Sequence, residues 1–304
     1  MSESLQVYGT HTELLAIVYI LADSNQITTL HFPTPMNFYK NSVVWLTGAS
    51  SGIGEALVPE LLKKGANIII SARREAELDR VFKQYGSDSD RIFVLPFDLA
   101  DHAILPKMVY EAINWKGHVD ILINNGGISQ RAFAHETSLE IEKQIFDVNY
   151  FGTVELTRHL VPHMMARKSG HIVVISSVLG KMSVPLRSTY CSSKHALHGY
   201  FDALRAELHQ ANVKVVLVCP GYIKTEVSMN ALRADGRKHA TLDKTQAKGM
   251  AADVFSRKML RKLASGRQEF AIGGVEILAI YAKRFIPWAV SRITQRITPV
   301  IRNL

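Results

Sequence analysis

The sequence predicts an α/β fold: a doubly wound parallel sheet of about seven strands in a single domain, with a C-terminal helical extension. Three observations predict it. From Asn41 onward, short β-branched runs alternate with longer amphipathic runs. Several of the short runs, such as Ile68-Ile69-Ile70 and Ile172-Val173-Val174-Ile175, are continuously apolar, which suits strands covered on both faces. A glycine-rich turn, Thr47-Gly48-Ala49-Ser50-Ser51-Gly52-Ile53-Gly54, directly follows the first short run and opens the first long one.

In chain order the strands are expected at Val43–Thr47, Asn67–Ser71, Ile92–Phe97, Val119–Ile123, His171–Ser176, Val213–Cys219 and Gln268–Ile272. Amphipathic helices fit between them, roughly over 53–64, 74–85, 102–115, 138–167, 190–210 and 247–263. No linker interrupts this series, so residues 41–275 form one domain. Residues 1–40 stand apart as an N-terminal extension with Thr, His, Asn and Pro scattered among short apolar pieces. That stretch is expected to be disordered, or to follow from a start codon placed too early. Residues 1–35 are therefore expected to be dispensable: a chain beginning at Met36 should fold and turn over normally. Loss of soluble protein or of activity from that shortened chain would count against this. Residues 276–304 read as a basic amphipathic helical tail. Its Ile, Leu, Phe and Trp residues are interspersed with Lys283, Arg284, Arg292, Arg296 and Arg302, and Pro287 and Pro299 should divide it into short helices.

Composition narrows the function classes. Of 304 residues, 47% are hydrophobic and 21% charged, an ordinary globular balance that excludes a disordered or fibrous chain. Two Cys cannot form a disulfide framework and fit a reducing compartment. The net charge of +9 points to an anionic partner: a phosphate, a nucleic acid or a membrane surface. No helix-turn-helix, zinc or base-stacking motif accompanies it, so no nucleic acid is expected. No stretch reaches the roughly 18 apolar residues of a spanning helix. The segment Leu14–Ala22 ends at Asp23 and has no Lys or Arg before it, which makes a poor secretory signal. A cytoplasmic protein is the expectation; the apolar side of its tail is to be buried either by packing that completes a pocket wall or against a partner subunit, or on an anionic membrane surface, with a homo-oligomer as a further option.

The glycine turn has the chemistry of a phosphate site. Glycine lets backbone approach a pyrophosphate closely, and a helix N-terminus offers unpaired N–H groups and a positive dipole end. The spacing Gly-x3-Gly-x-Gly differs from the common G-x-G-x-x-G fingerprint, and no Lys-Ser/Thr follows as in a P-loop. About 20 residues on, an acid at the second strand's end would bind a ribose 2′-hydroxyl. This chain has Ser71-Ala72-Arg73-Arg74 there, so Arg73 favours a 2′-phosphate and hence NADP. Further along, Tyr190 and Lys194 share a helix face at i and i+4. A nearby ammonium favours the phenolate, lowering a Tyr pKa from its usual value near 10 and making a general acid/base. Ser177 ends a strongly apolar strand on the edge where such a sheet gathers its ligands. His159 and His163 have metal-capable i, i+4 spacing but no third ligand, so no metal site is expected.

Taken together, these motifs resemble the short-chain dehydrogenase/reductase family. The set is the Gly48/Gly52/Gly54 turn, Asn124-Asn125-Gly126-Gly127, Asn149, Ser177, Tyr190/Lys194, and Pro220-Gly221 followed by Thr225. The resemblance covers about residues 41 to 275 and leans toward the dehydrogenase/reductase member-7-like branch and its bacterial relatives. Gly127 departs from the family, which usually has Ala there. The resemblance implies a Rossmann-type sheet and hydride transfer with a nicotinamide cofactor; Arg73 makes that cofactor NADP, and the apolar Tyr222, Met229 and Leu232 after the sixth strand favour a small hydrophobic alcohol or ketone as substrate. It implies that Tyr190 exchanges a proton with the substrate oxygen, Ser177 binds that oxygen, and Lys194 tunes Tyr190 and holds the nicotinamide ribose. Asn149 would kink its helix and hold a water in the proton relay. Gly48, Ser50, Ser51, Gly52, Ile53 and Gly54 would cradle the phosphates. Asp98 and Leu99 would meet the adenine, Asn125 and Gly126 would line the cofactor, and Pro220, Gly221, Ile223 and Thr225 would lie at its nicotinamide end. The polar stretch from Tyr222 to about Gly249 would then be a substrate lid. A non-catalytic dinucleotide-binding regulator on the same fold is the alternative, and the joint presence of Ser177, Tyr190 and Lys194 argues against it.

Overall fold

The computed structural model describes residues 37–241 and 243–298. The expectations for residues 1–36, and for a break at Pro299, lie outside the described residues. The first strand, β1 (Val43–Thr47), runs into the glycine turn and helix α1 (Gly52–Lys63). There follow β2 (Asn67–Ser71), α2 (Glu75–Lys83), β3 (Ile92–Val94), α3 (Leu105–Lys116) and β4 (Ile121–Asn124). Helices α4 (Leu139–Phe146) and α5 (Gly152–Arg167) precede β5 (Gly170–Ile175), and α6 (Ser188–Glu207) precedes β6 (Val213–Pro220). Short strands β7 (Ile223–Lys224) and β8 (Met250–Ala251) flank the helical turn α7 (Lys244–Ala247). Then come α8 (Ala252–Ala264), β9 (Glu269–Ile272), α9 (Leu278–Phe285) and α10 (Pro287–Ile297).

The main sheet has seven parallel strands in the order β3-β2-β1-β4-β5-β6-β9. Parallel pairing needs crossover connections, and the helices that make them cover both faces. On one face Leu57, Leu61, Phe255 and Met259 pack against Val44, Leu46, Ile68 and Ile70. On the other, Met108, Leu156, Leu160 and Phe201 pack against Trp45, Ile69, Leu122 and Val215. Each such fully buried side chain stabilises the fold by about 1.5–3 kcal/mol. The strand order reverses between β1 and β4, and their carboxyl ends open there into a crevice.

Three differences from the sequence expectations stand out. The third strand ends at Val94 instead of Phe97, and Pro96 lies on the free edge of the sheet, where its missing N–H leaves no ladder bond unmade. Its pairing with the chain at β2 still continues through Leu95 N to Ile70 O at 3.0 Å and Phe97 N to Ala72 O at 3.2 Å. The long helix expected over 138–167 is split by a π-helical turn, Asp147–Phe151, which carries Asn149. The stretch after β6 is less irregular than its polar composition suggested: β7 pairs in parallel with β8 and ties its two ends together. Pro287 divides the tail as expected, separating α9 from α10. No helix among the described residues is long and apolar enough to cross a membrane.

Candidate active site

The glycine turn is held against the end of β4 by a latch. The Thr47 hydroxyl accepts from Asn125 N and Gly126 N, both at 3.0 Å, and the Asn125 amide donates to Thr47 O at 3.0 Å and Gly48 O at 3.2 Å. Gly48 has φ of 66°, left-handed backbone that favours glycine. A Cβ on Gly54 would lie 2.1 Å from Gly48 O, so the turn closes this tightly only with glycine there. Ser51 at the head of α1 makes no side-chain cap, which leaves the helix's first N–H groups for a ligand. Across the crevice, a Cβ on Gly52 would come within 3.1 Å of the Thr225 methyl, so the turn and the segment after β6 face each other closely. These features fit a bound pyrophosphate.

One cavity of about 720 Å³ runs from this turn past Tyr190 to the tail. That volume lies within the usual range for ligand sites, about 300–1,000 Å³. Every site residue chosen from sequence lies on its wall except Gly54 and Asn149. Gly54 sits behind the turn. Asn149 is fully buried and works from behind the wall: its carbonyl oxygen accepts from Ile128 N at 2.8 Å, and its amide donates to Ile128 O at 2.9 Å and Ser193 Oγ at 3.0 Å. A Cβ on Gly127 would lie 3.2 Å from the Asn149 carbonyl oxygen and 3.5 Å from Lys194 Nζ, so this glycine sits between the two side chains.

Arg73 lies exposed at the mouth, its guanidinium 3.5 Å from the Asp98 carboxylate. The exposure of this pair makes it worth only about 0–1 kcal/mol, which leaves the guanidinium available to a better anion. Tyr190 and Ser177 face the cavity, and the Ser177 hydroxyl accepts from Leu179 N at 3.0 Å. The Lys194 ammonium lies 5.9 Å from the centre of the Tyr190 ring and donates to Ile175 O at 2.9 Å. Burial pushes the Lys194 pKa down to about 8.

The Tyr190 phenol corrects the sequence expectation. Burial raises its pKa; the neighbouring Ser177 hydroxyl and the charges of Arg187 and Arg131 pull the other way without overcoming it. Desolvation therefore outweighs the cations here, and Lys194 spends its ammonium on a backbone carbonyl. His159 is taken up by Glu155 at 2.8 Å. Both Cys are buried, Cys191 among apolar neighbours and Cys219 with its sulfur 3.7 Å from His198 Nε2.

The sequence model described as short chain dehydrogenase matches residues 42–236. The chain is 41% identical over 256 residues to a Drosophila melanogaster dehydrogenase/reductase SDR family protein 7-like, covering 83% of this chain and 78% of that protein. It is 37% identical over 261 residues to Mus musculus dehydrogenase/reductase SDR family member 7B, covering 84% of this chain and 81% of that protein.

The chain belongs to the short-chain dehydrogenase family. A solved short-chain dehydrogenase from Streptomyces avermitilis superposes on it with a TM-score of 0.72 at 25% identity, over 85% of this chain and 98% of that one. The protein is accordingly an oxidoreductase whose fold binds a nicotinamide dinucleotide beside a substrate.

Four residues of this short-chain dehydrogenase's site were not found by sequence reasoning. Glu276 joins the tail to the segment after β6, its carboxylate accepting from Tyr222 N at 2.8 Å and Gly274 N at 2.9 Å. Its signal was being the tail's lone acid. Arg131 and Arg187 line the cavity and share the carboxylate of Asp243. Arg187, one turn before Tyr190, could have been suspected; nothing in the sequence marks Asp243 as its partner.

Proposed function

We propose that this short-chain dehydrogenase is an NADP-dependent carbonyl reductase or alcohol dehydrogenase acting on a hydrophobic ketone or alcohol through Asn149, Ser177, Tyr190 and Lys194. One observation carries the proposal. Ser177, Tyr190 and Lys194 line the same cavity as the glycine turn, Asn125 and Arg73, with apolar Val178, Leu179, Ala279, Ala282 and Val290 on its remaining wall. A non-catalytic regulator would have no need of the first three together.

The residues divide the work. The backbone N–H groups heading α1 and the Arg73 guanidinium would hold the phosphates, Arg73 taking the 2′-phosphate that distinguishes NADP. Bound there, the nicotinamide supplies or accepts the hydride. The Ser177 hydroxyl would donate to the substrate oxygen and keep it beside the Tyr190 hydroxyl. Tyr190, its pKa held up by burial, is protonated at neutral pH and so begins as the acid of the reductive direction, giving its proton to the developing alkoxide. Lys194, with its pKa pushed down to about 8, is still mostly charged at neutral pH and stabilises the resulting phenolate. Asn149 holds Ile128 and Ser193 in place beneath the site. A panel of ketones and alcohols assayed with NADPH and NADH at the nicotinamide absorbance tests the whole proposal; no turnover of any of them would overturn it.

The tail gives the second part of the proposal. Leu278, Tyr281, Phe285 and Trp288 are exposed at helical spacing along α9 and into α10, with exposed Lys283, Arg284, Arg292 and Arg296 around them. Basic helices with Trp and Phe on one side suit an anionic lipid surface, and each Lys or Arg near such a leaflet adds about 1 kcal/mol. We therefore expect a cytoplasmic enzyme that associates weakly and salt-sensitively with anionic vesicles. Flotation at low salt checks this. A protein that stays at the bottom of the gradient would leave the tail only its packing against Val178, Leu179 and Met182.

A further inference from the structure

The wall beside Tyr190 carries two guanidinium groups, largely shielded from solvent, over one carboxylate. Arg131 donates through Nε to Asp243 Oδ2 at 3.0 Å, and its Nη2 reaches the same oxygen. Its Nη1 donates to Gln130 O at 2.6 Å and Ser129 Oγ at 3.1 Å, so Arg131 is fully engaged. Arg187 donates through Nη2 to the same Asp243 oxygen at 2.9 Å. Its Nε and Nη1 have no partner among the described residues. Side-chain exposure is 6% for Arg131 and 15% for Arg187, and both line the cavity while Asp243 does not. Their place next to the phenol is fixed by Gln130, whose side-chain oxygen accepts from Thr189 N at 2.9 Å and Tyr190 N at 3.4 Å.

Two buried cations over one carboxylate leave a charge uncompensated, and an uncompensated buried charge is costly. Lys238 adds another cation to the same wall. His239 lies 3.8 Å from the far oxygen of Asp243. Of the acids on the cavity wall, Asp98 pairs with Arg73 at the far end, Glu276 is occupied by two backbone N–H groups and Glu226 is exposed. What the wall lacks is an anion on the cavity side, and the free donors of Arg187 are placed to bind one.

We infer that the substrate is amphipathic: a hydrophobic ketone or alcohol that also carries a carboxylate or similar oxyanion, bound by Arg187 with Arg131 behind it, while its apolar body lies against Ala279, Ala282 and Val290. The inference rests on the reading of the cavity as the substrate site and narrows the substrate class of that site. An Arg–carboxylate contact is charge-assisted and directional, whereas Lys would offer only a point charge.

The test compares a long-chain keto acid with its methyl ester. Wild type should favour the acid in kcat/KM by about tenfold or more. R187Q should lower kcat/KM for the acid about tenfold more than for the ester, and R187K should recover part of the difference. Added salt should raise KM for the acid and leave that of the ester in place, a readout that needs no variant to fold. Thermal shifts of the NADPH-loaded protein with acid and ester give the same contrast without turnover. Equal use of acid and ester by wild type would overturn the inference and leave the catalytic proposal standing. Equal loss of both in R187Q would reduce Arg187 to an anchor for the lid and overturn it too. Selective binding of the acid with no turnover of either compound would spare the inference and strike the catalytic proposal.

Discussion

Tyr190→Phe should lower turnover by about 10²–10⁴-fold, the range that general acid/base catalysis contributes, while leaving cofactor affinity largely intact. The substitution removes one hydroxyl and keeps the ring, so Lys194 retains an aromatic neighbour and its bond to Ile175 O. The glycine turn, the Thr47–Asn125 latch and Arg73 are untouched, and the pyrophosphate cradle should survive. What disappears is the phenolic proton donor beside the Ser177 hydroxyl. Steady-state assay of the variant beside a titration of NADPH binding separates the two effects. A variant that keeps more than half the wild-type activity would sink the mechanism. Equal loss of activity and of cofactor binding would point to damage at the cradle.

Arg73→Asp should erode or invert a wild-type preference for NADPH over NADH. The guanidinium is exposed at the mouth and shared only loosely with Asp98, so a 2′-phosphate can claim it. Each lost charge-assisted contact is worth about 1.5–3 kcal/mol, or one to two decades in affinity. The new carboxylate also repels the phosphate and can accept from a ribose hydroxyl, so NADH should gain as NADPH loses. Asp98 beside it strengthens that repulsion. The ratio of kcat/KM for the two cofactors, measured in both proteins, decides the matter. Equal use of both cofactors by the wild type would refute the preference at its source. An unchanged ratio in the variant would show that Arg73 does not carry it.

The fold was legible because its determinants are local in the chain. Ile68-Ile69-Ile70 and the run from Ile172 to Ile175 suit strands covered on both faces, and the structure buries every residue of both runs. The glycine turn was legible for the same reason: strand, turn and helix are contiguous, and Gly54 has no room for a side chain. Boundaries were less so. The third strand stops three residues early, and the π turn at Asn149 could not be read from periodicity because it adds one residue to an otherwise regular helix.

The sequence by itself determined the doubly wound sheet, the family, the turn that fits a pyrophosphate and the candidate residues Ser177, Tyr190 and Lys194. Each of these depends on residue type and spacing within one or two elements. The tertiary structure alone decided the electrostatics of the site. It showed that burial raises the Tyr190 phenol although cations lie near it. It joined Arg131, Arg187 and Asp243, which lie far apart in the chain, and used Glu276 of the tail to hold Tyr222 after β6. Such contacts form between loops carried by different strands, and desolvation depends on everything that surrounds a group, so neither leaves a local pattern in the sequence.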